Sequence, residues 1–176
     1  MTRWVRAFVA LGSNLGERAA ALVGAREALD ARDDTRVVAA SRLWETAPVG
    51  PPGQGPYLNA VLAIETTLGP RALLDRLFEI ERRAGRDRAA ASTRWGPRVL
   101  DLDLLIHADE RIDEPGLQVP HPRLHERRFV LEPLCEIAAD LEHPTLGEKL
   151  AAHLARCPDE GDARPWVGAA DWQATA

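Results

Sequence analysis

Hydrophobic and polar positions along the chain change period several times, and the changes outline its elements. Residues 4–11, "WVRAFVAL", read as a strand, and "GSNLG" at 12–16 reads as a turn. Leu15, Ala19, Leu22 and Leu29 then keep helical spacing to about residue 31. "RVVAASRLW" at 36–44 suits a strand. The stretch "TAPVGPPGQGP" at 46–56 holds four prolines and three glycines, too many breakers for either regular element. A strand over 57–67 follows, and Pro70 opens a helix at its first turn. Leu73, Leu74, Leu77, Phe78 and Ile80 form the apolar face of that helix. Glu81 lies on or beside this stripe, where a carboxylate needs a partner. Residues 85–98 form a second long loop and 99–106 a strand. A turn near Asp109 and a loop through "VPHPRLHERR" lead to helices at about 128–139 and 147–156.

The order β-α-β-β-α-β with a C-terminal extension predicts an α+β fold. Its form is a ferredoxin-like α/β sandwich, a mainly antiparallel sheet with helices packed on it. The 176 residues suit one domain, assigned to 1–158. The remainder, 159–176, is rich in Gly, Ala and Asp around Trp166 and Trp172, and is expected to be a partly disordered tail. No apolar run reaches the roughly 18 residues of a membrane span, and the first strand lacks a signal-peptide cleavage pattern. Cys135 and Cys157 lack metal-ligand spacing. They read as reduced thiols of a cytoplasmic protein. No long apolar edge is legible, so a monomer is expected.

Charge changes the picture locally. The net charge of −5 argues against a general nucleic-acid binder. Yet residues 82–98 carry six arginines against a single acid, Asp87. Such a patch on an acidic protein fits a compact polyanion such as a nucleotide, although basic runs are also ordinary solvated surface. Lys149 is the only lysine, and it sits in "GEKL" near the C-terminus. It cannot serve a P-loop or the early strand of a protein kinase.

The last strand carries the sharpest anomaly. In "VLDLDLLI", Asp101 and Asp103 point to one face, while Leu100, Leu102 and Leu104 take the other and serve the core. Alternating polar residues are normal on an exposed antiparallel face. The preceding "RWGPR" changes the weighting, since Arg94 and Arg98 bring fixed positive charge beside the pair. Paired acids that can hold hard cations, next to arginines, are what a phosphate chain requires.

Four segments together resemble the 6-hydroxymethyl-7,8-dihydropterin pyrophosphokinase family of folate biosynthesis. They are "ALGSNLG" (10–16), "WETAPVGPPGQGPYLNAV" (44–61), "GRDRAAASTRWGPRVLDLDLL" (85–105) and "VPHPRLHERRFVLEPL" (119–134). The resemblance implies transfer of pyrophosphate from ATP to the pterin hydroxymethyl group, with release of AMP and use of two Mg²⁺ ions. It implies that Asp101 and Asp103 are the metal ligands. Asn59 matches the asparagine whose amide reads the pterin ring, and Tyr57 and Phe129 match the aromatics that sandwich it. Thr46 and Val49 match loop positions at the pterin edge. Arg86 and Arg98 resemble the family's phosphate arginines. Arg88 and Trp95 resemble mobile-loop residues that close over the nucleotide. His121 resembles a triphosphate-contacting histidine, Arg127 a further basic contact, and Glu81 an acid near the nucleotide end. Phe78 falls where some members have a polar residue near the adenine. The expected partners are thus ATP and 6-hydroxymethyl-7,8-dihydropterin, without nucleic acid or membrane. Two alternatives stay open: another Mg-dependent nucleotide-binding enzyme, and a non-catalytic paralogue that binds pterin or nucleotide.

Overall fold

The computed structural model describes residues 3–48, 52–86, 97–158, 161–169 and 172. Strand β1 (Val5–Ser13) lies inside the main sheet, antiparallel to β4 (Tyr57–Thr66) on one side and to β5 (Asp101–His107) on the other. Between β1 and β4 the chain forms α1 (Arg18–Asp30), β2 (Thr35–Ala40) and β3 (Trp44–Thr46). Helix α2 (Pro70–Arg83) connects β4 to β5. A hairpin follows, β6 (Ile112–Glu114) with β7 (Leu117–Val119), then a single 3-10 turn at Leu124–Glu126. Helices α3 (Arg128–Ala138) and α4 (Leu150–Ala155) and strand β8 (Ala163–Pro165) complete the order. The main sheet runs β5-β1-β4-β3-β8, with β2 also paired to β4.

Helices cover both faces of this sheet, which is why β1 and β4 read as nearly continuous apolar runs. On one face, Leu22 and Leu29 of α1 and Leu73 and Leu77 of α2 pack with Val9, Leu11, Leu62, Ile64 and Leu102. On the other, Val130, Leu131 and Leu134 of α3 and Leu150 of α4 pack with Phe8, Val61, Ala63 and Leu105. Each fully buried leucine contributes about 1.5–3 kcal/mol by leaving water. Pro70 stands at the start of α2, where its missing N–H has no helical partner to lose. Gly85, at φ +94°, ends that helix in a conformation side chains rarely adopt.

Three differences from the expected elements bear on function. β1 extends through Gly12 to Ser13, into the predicted turn. The single strand expected at 36–44 is two strands, broken at Ser41–Leu43. There the Ser41 hydroxyl replaces a backbone group by accepting the Val61 N–H at 2.9 Å. The tail supplies β8, which pairs with β3. Asp101 and Asp103 share a face opposite the buried Leu100, Leu102 and Leu104, as strand alternation requires. An irregularity between Phe8 and Val9 then lets β5 turn both Leu105 and Ile106 toward α3. Among the described residues, no helix is long and apolar enough to cross a membrane.

Candidate active site

The α3 side of the sheet tapers at one end. Along β1 the residues facing α3 run Phe8, Ala10, Gly12, from large to none. Where they shrink, a cavity of about 270 Å³ opens. Its floor is a cross-strand row. Gly12 is level with Asn59 on β4 and with Asp101 on β5, and Ala10 is level with Asp103. A Cβ on Gly12 would lie 3.2 Å from Asn59 Oδ1 and 3.7 Å from the Tyr57 ring, so the glycine permits this close approach. Thr46, Tyr57 and Asn59 form one wall, and Phe129 at the start of α3 forms part of another. Thr46 and Asn59 are buried, and Asn59 Nδ2 donates to Thr46 Oγ1 at 2.7 Å. That bond fixes the orientation of the amide.

The acid end rests on a buried network. Glu81 is 1% exposed at the end of α2. Its Oε1 accepts the Leu102 backbone N–H at 2.7 Å and also the Arg86 guanidinium. The same Arg86 Nη1 donates to Asp101 Oδ1, while Arg98 Nη1 donates to Asp101 Oδ2 at 2.7 Å. The Arg98 backbone N–H donates to Asn14 Oδ1 at 2.7 Å, and the Asn14 amide reaches Gln54 and Gly55. Thus the partner that Glu81 needs is Arg86. One network joins the end of α2, the return of the 85–98 loop, β5 and the end of the 46–56 loop.

Among the described residues, no such pair of guanidiniums bonds Asp103. Burial holds its carboxyl up at about 6, and the Asp101 charge beside it adds to the rise, against the pull of Arg127. His121 is pushed down to about 4 by burial and then by Arg127 and Arg123, so it is neutral at pH 7. Its Nδ1 accepts the Arg123 backbone N–H at 3.1 Å, which leaves the ring proton on Nε2. Arg127 lies 5.6 Å from the Phe129 ring centroid, and burial lowers its own pKa. Among the described residues no three His, Cys, Asp or Glu side chains form a metal-binding group. Two carboxylates without further protein donors suit a hard cation that keeps water and substrate oxygens, as Mg²⁺ does. A second cavity, about 620 Å³, opens between Phe78 of α2 and the β6–β7 hairpin. It shares Asp103 and His121 with the first.

The structure therefore gathers Thr46, Tyr57, Asn59, Arg98, Asp101, Asp103, His121, Arg127 and Phe129 around one cavity. Glu81 and Arg86 stand behind it, joined to Asp101. Val49, Arg88 and Trp95 lie outside the described residues. The sequence reading missed Gly12 and Arg123, which also line the cavity. A glycine inside an apolar strand pattern was the available signal for Gly12. Arg123 had none beyond its place in "HPRLHER".

Two cavities that meet at a carboxylate and a histidine, with a second carboxylate beside them, suit two substrates with a charged group passing between them. That is the arrangement of a nucleotide-dependent phosphoryl- or pyrophosphoryl-transfer enzyme. Residues 8–139 match the family model described as 7,8-dihydro-6-hydroxymethylpterin-pyrophosphokinase. A 2-amino-4-hydroxy-6-hydroxymethyldihydropteridine pyrophosphokinase of Pseudomonas aeruginosa is 45% identical over 156 residues, covering 89% of this chain and 94% of the relative. Its counterpart in Bacillus subtilis is 43% identical, covering 77% and 80%. The solved wild-type Plasmodium falciparum HPPK-DHPS shares the fold at a TM-score of 0.66 and 12% identity, over 89% of this chain. The chain spans only 45% of that longer protein. The chain belongs to the 7,8-dihydro-6-hydroxymethylpterin-pyrophosphokinase family, enzymes that transfer pyrophosphate from ATP to hydroxymethyldihydropterin in folate biosynthesis.

The network and the raised carboxyl of Asp103 each carry an expected outcome. Glu81→Ala leaves Arg86 buried with one carboxylate fewer and strips the Leu102 N–H of its acceptor. Urea unfolding should show a loss of about 3 kcal/mol. For Asp103, the raised carboxyl pKa marks a folded state that favours the proton. Its ionisation therefore costs stability above about pH 6, and the cost fades as pH falls toward the unfolded value. Asp103→Asn should stabilise the metal-free protein by about 1–2 kcal/mol at pH 7.5 and less at pH 5, read by thermal unfolding in EDTA.

Proposed function

We propose that the cavity floored by Ala10 and Gly12 takes the pterin and that the groove beside the β6–β7 hairpin takes ATP. One observation carries this reading: the two cavities meet at Asp103 and His121. A flat ring between Tyr57 and Phe129 would lie over Gly12, where no side chain intervenes. Aromatic faces on both sides supply area and stacking geometry. The Asn59 amide, its Nδ2 held by Thr46, faces the ring edge. This orientation directs the hydroxymethyl group toward β5 and its aspartates.

The hydroxyl oxygen attacks the β-phosphorus of ATP as the bond from that phosphorus to the oxygen of the α-phosphate breaks. AMP leaves with that oxygen and its bonding electrons, and the hydroxyl proton passes to water. Asp101 and Asp103 would hold two Mg²⁺ ions, which would supply charge neutralisation for the triphosphate and lower the pKa of the attacking hydroxyl. Asp101 is held in place for this by Arg86 and Arg98. Arg86 acts through that carboxylate, with Glu81 fixing it from behind. Arg98, partly exposed in the cavity, meets the transferring group. Neutral His121 donates from Nε2 to a phosphate oxygen without adding charge, and Arg127 compensates charge from the α3 side. Phe78 and the hairpin enclose the adenosine by apolar contact. The reading extends by sequence alone to Val49 and Trp95 at the pterin and to Arg88 at ATP. It takes the chain to be a cytoplasmic monomer. Among the described residues, the exposed large apolar side chains Trp4, Leu15, Leu146 and Val167 come from four separate segments, which supports the monomer.

AMP formation from ATP, with and without 6-hydroxymethyl-7,8-dihydropterin, tests the reaction. AMP should require the pterin, and Asp103→Ala should lower the rate by about 10³-fold. ADP as product, or no pterin dependence, would sink the reading. Gly12→Ala should weaken pterin binding by about tenfold, because its Cβ crowds Asn59, and leave ATP affinity alone. Calorimetry with each ligand checks this.

A further inference from the structure

We propose that the C-terminal segment is a working part of the pterin half of the site: β8 and Trp172 set β3, and Arg164 acts through Glu45 on the wall of the cavity. The inference rests on the reading above, in which Asn59 meets the pterin. β3 has three residues, and pairing with β4 alone would leave it marginal. β8 covers its outer edge, with Trp44 opposite Pro165, Glu45 opposite Arg164 and Thr46 opposite Ala163.

The tail also repairs the break between β2 and β3. Buried carbonyls in such a break need donors from elsewhere. Trp166 N–H donates to Leu43 O at 2.8 Å. Trp172, only 7% exposed, donates its indole N–H to Ser41 O at 2.9 Å. Arg26 of α1 stacks over the Trp172 ring at 5.4 Å. Both ends of the break are thus pinned by residues after 160.

What is pinned leads directly to the cavity. Thr46, the last residue of β3, accepts the Asn59 amide. Beside it, Glu45 accepts Arg164 at 2.7 Å on one oxygen and Arg18 at 2.9 Å on the other. Arg18 then donates its second Nη to Pro56 O at 2.7 Å, where the 46–56 loop returns to β4. One ionic path therefore joins the tail, β3 and the loop end. These residues touch neither substrate. They position Thr46 and Asn59, and their effect belongs to the pterin side alone.

The test uses the full chain and compares Arg164→Ala, Arg164→Lys, Trp172→Ala and Asn59→Ala by steady-state AMP formation and thermal unfolding. Arg164→Ala should raise KM for the pterin by about 3–5-fold, with KM for ATP unchanged and Tm nearly constant, since the Arg164 side chain is 69% exposed. Arg164→Lys should recover most of that loss. Trp172→Ala should raise pterin KM by about tenfold, more than it lowers kcat. If it fails to fold, Arg164→Ala still decides. Equal rises in both KM values, or none in Arg164→Ala, would overturn the proposal. An unchanged pterin KM in Asn59→Ala would instead remove the reading on which it rests.

Discussion

A path of alternating charge, buried at Glu81 and Arg86 and reaching the cavity at Asp101 and Arg98, holds together the end of the molecule that carries the candidate site. Glu81 is almost wholly enclosed, and a lone carboxylate there would be untenable. Arg86 makes it tolerable, and the Leu102 N–H makes it useful. That N–H would otherwise be an orphan on the open side of β5, and accepting it ties the end of α2 to the strand. Because Arg86 also holds Asp101, a need of the core and a need of the site are met by one guanidinium. Two acids and two arginines leave this path near neutrality.

Asp103 is the exception, and the asymmetry has meaning. It stands one strand repeat from Asp101, on the same face, yet among the described residues only the more distant Arg127 and Arg98 act on it. A carboxyl held up by burial and by a neighbouring anion gains most from a cation placed between the two acids. The arginines on Asp101 hold that carboxylate in position, and in the proposed reading the raised carboxyl of Asp103 would supply the attraction. Neutral His121, shared by both cavities, adds a hydrogen-bond donor without a further positive charge among Arg98, Arg123 and Arg127.

Much of this was legible from local rules. Period-two alternation placed Asp101 and Asp103 together and sent the leucines to the core. The helical stripe ending in Glu81 announced a buried acid before its partner was known. The helices covering both faces also explain why β1 and β4 carry few polar positions. What local rules could not reach were features made by pairing across the chain. β3, β6, β7 and β8 have three residues each, too few to show a period, and exist because a neighbour aligns them. The strand at 36–44 reads as continuous because its break lies in which carbonyls find donors, and two of those donors are more than a hundred residues away. Arg86 and Arg98 could be taken from sequence only as generic phosphate arginines. Their bonds to Asp101 depend on β5 lying against α2.

The sheet itself sets the scale of the site. Asn59, Gly12 and Asp101 are level on three adjacent strands, so the separation of the amide from the carboxylate is two strand spacings, roughly 9.5 Å. A rigid bicyclic ring that bridges this row must lie across β1. That is possible only if β1 presents no side chain between its neighbours, which Gly12 ensures. Backbone hydrogen bonds on both sides of β1 make the spacing stiff, whereas loops alone would let it drift. In the proposed reading, the architecture of the sheet would deliver the reacting hydroxymethyl group to the aspartates.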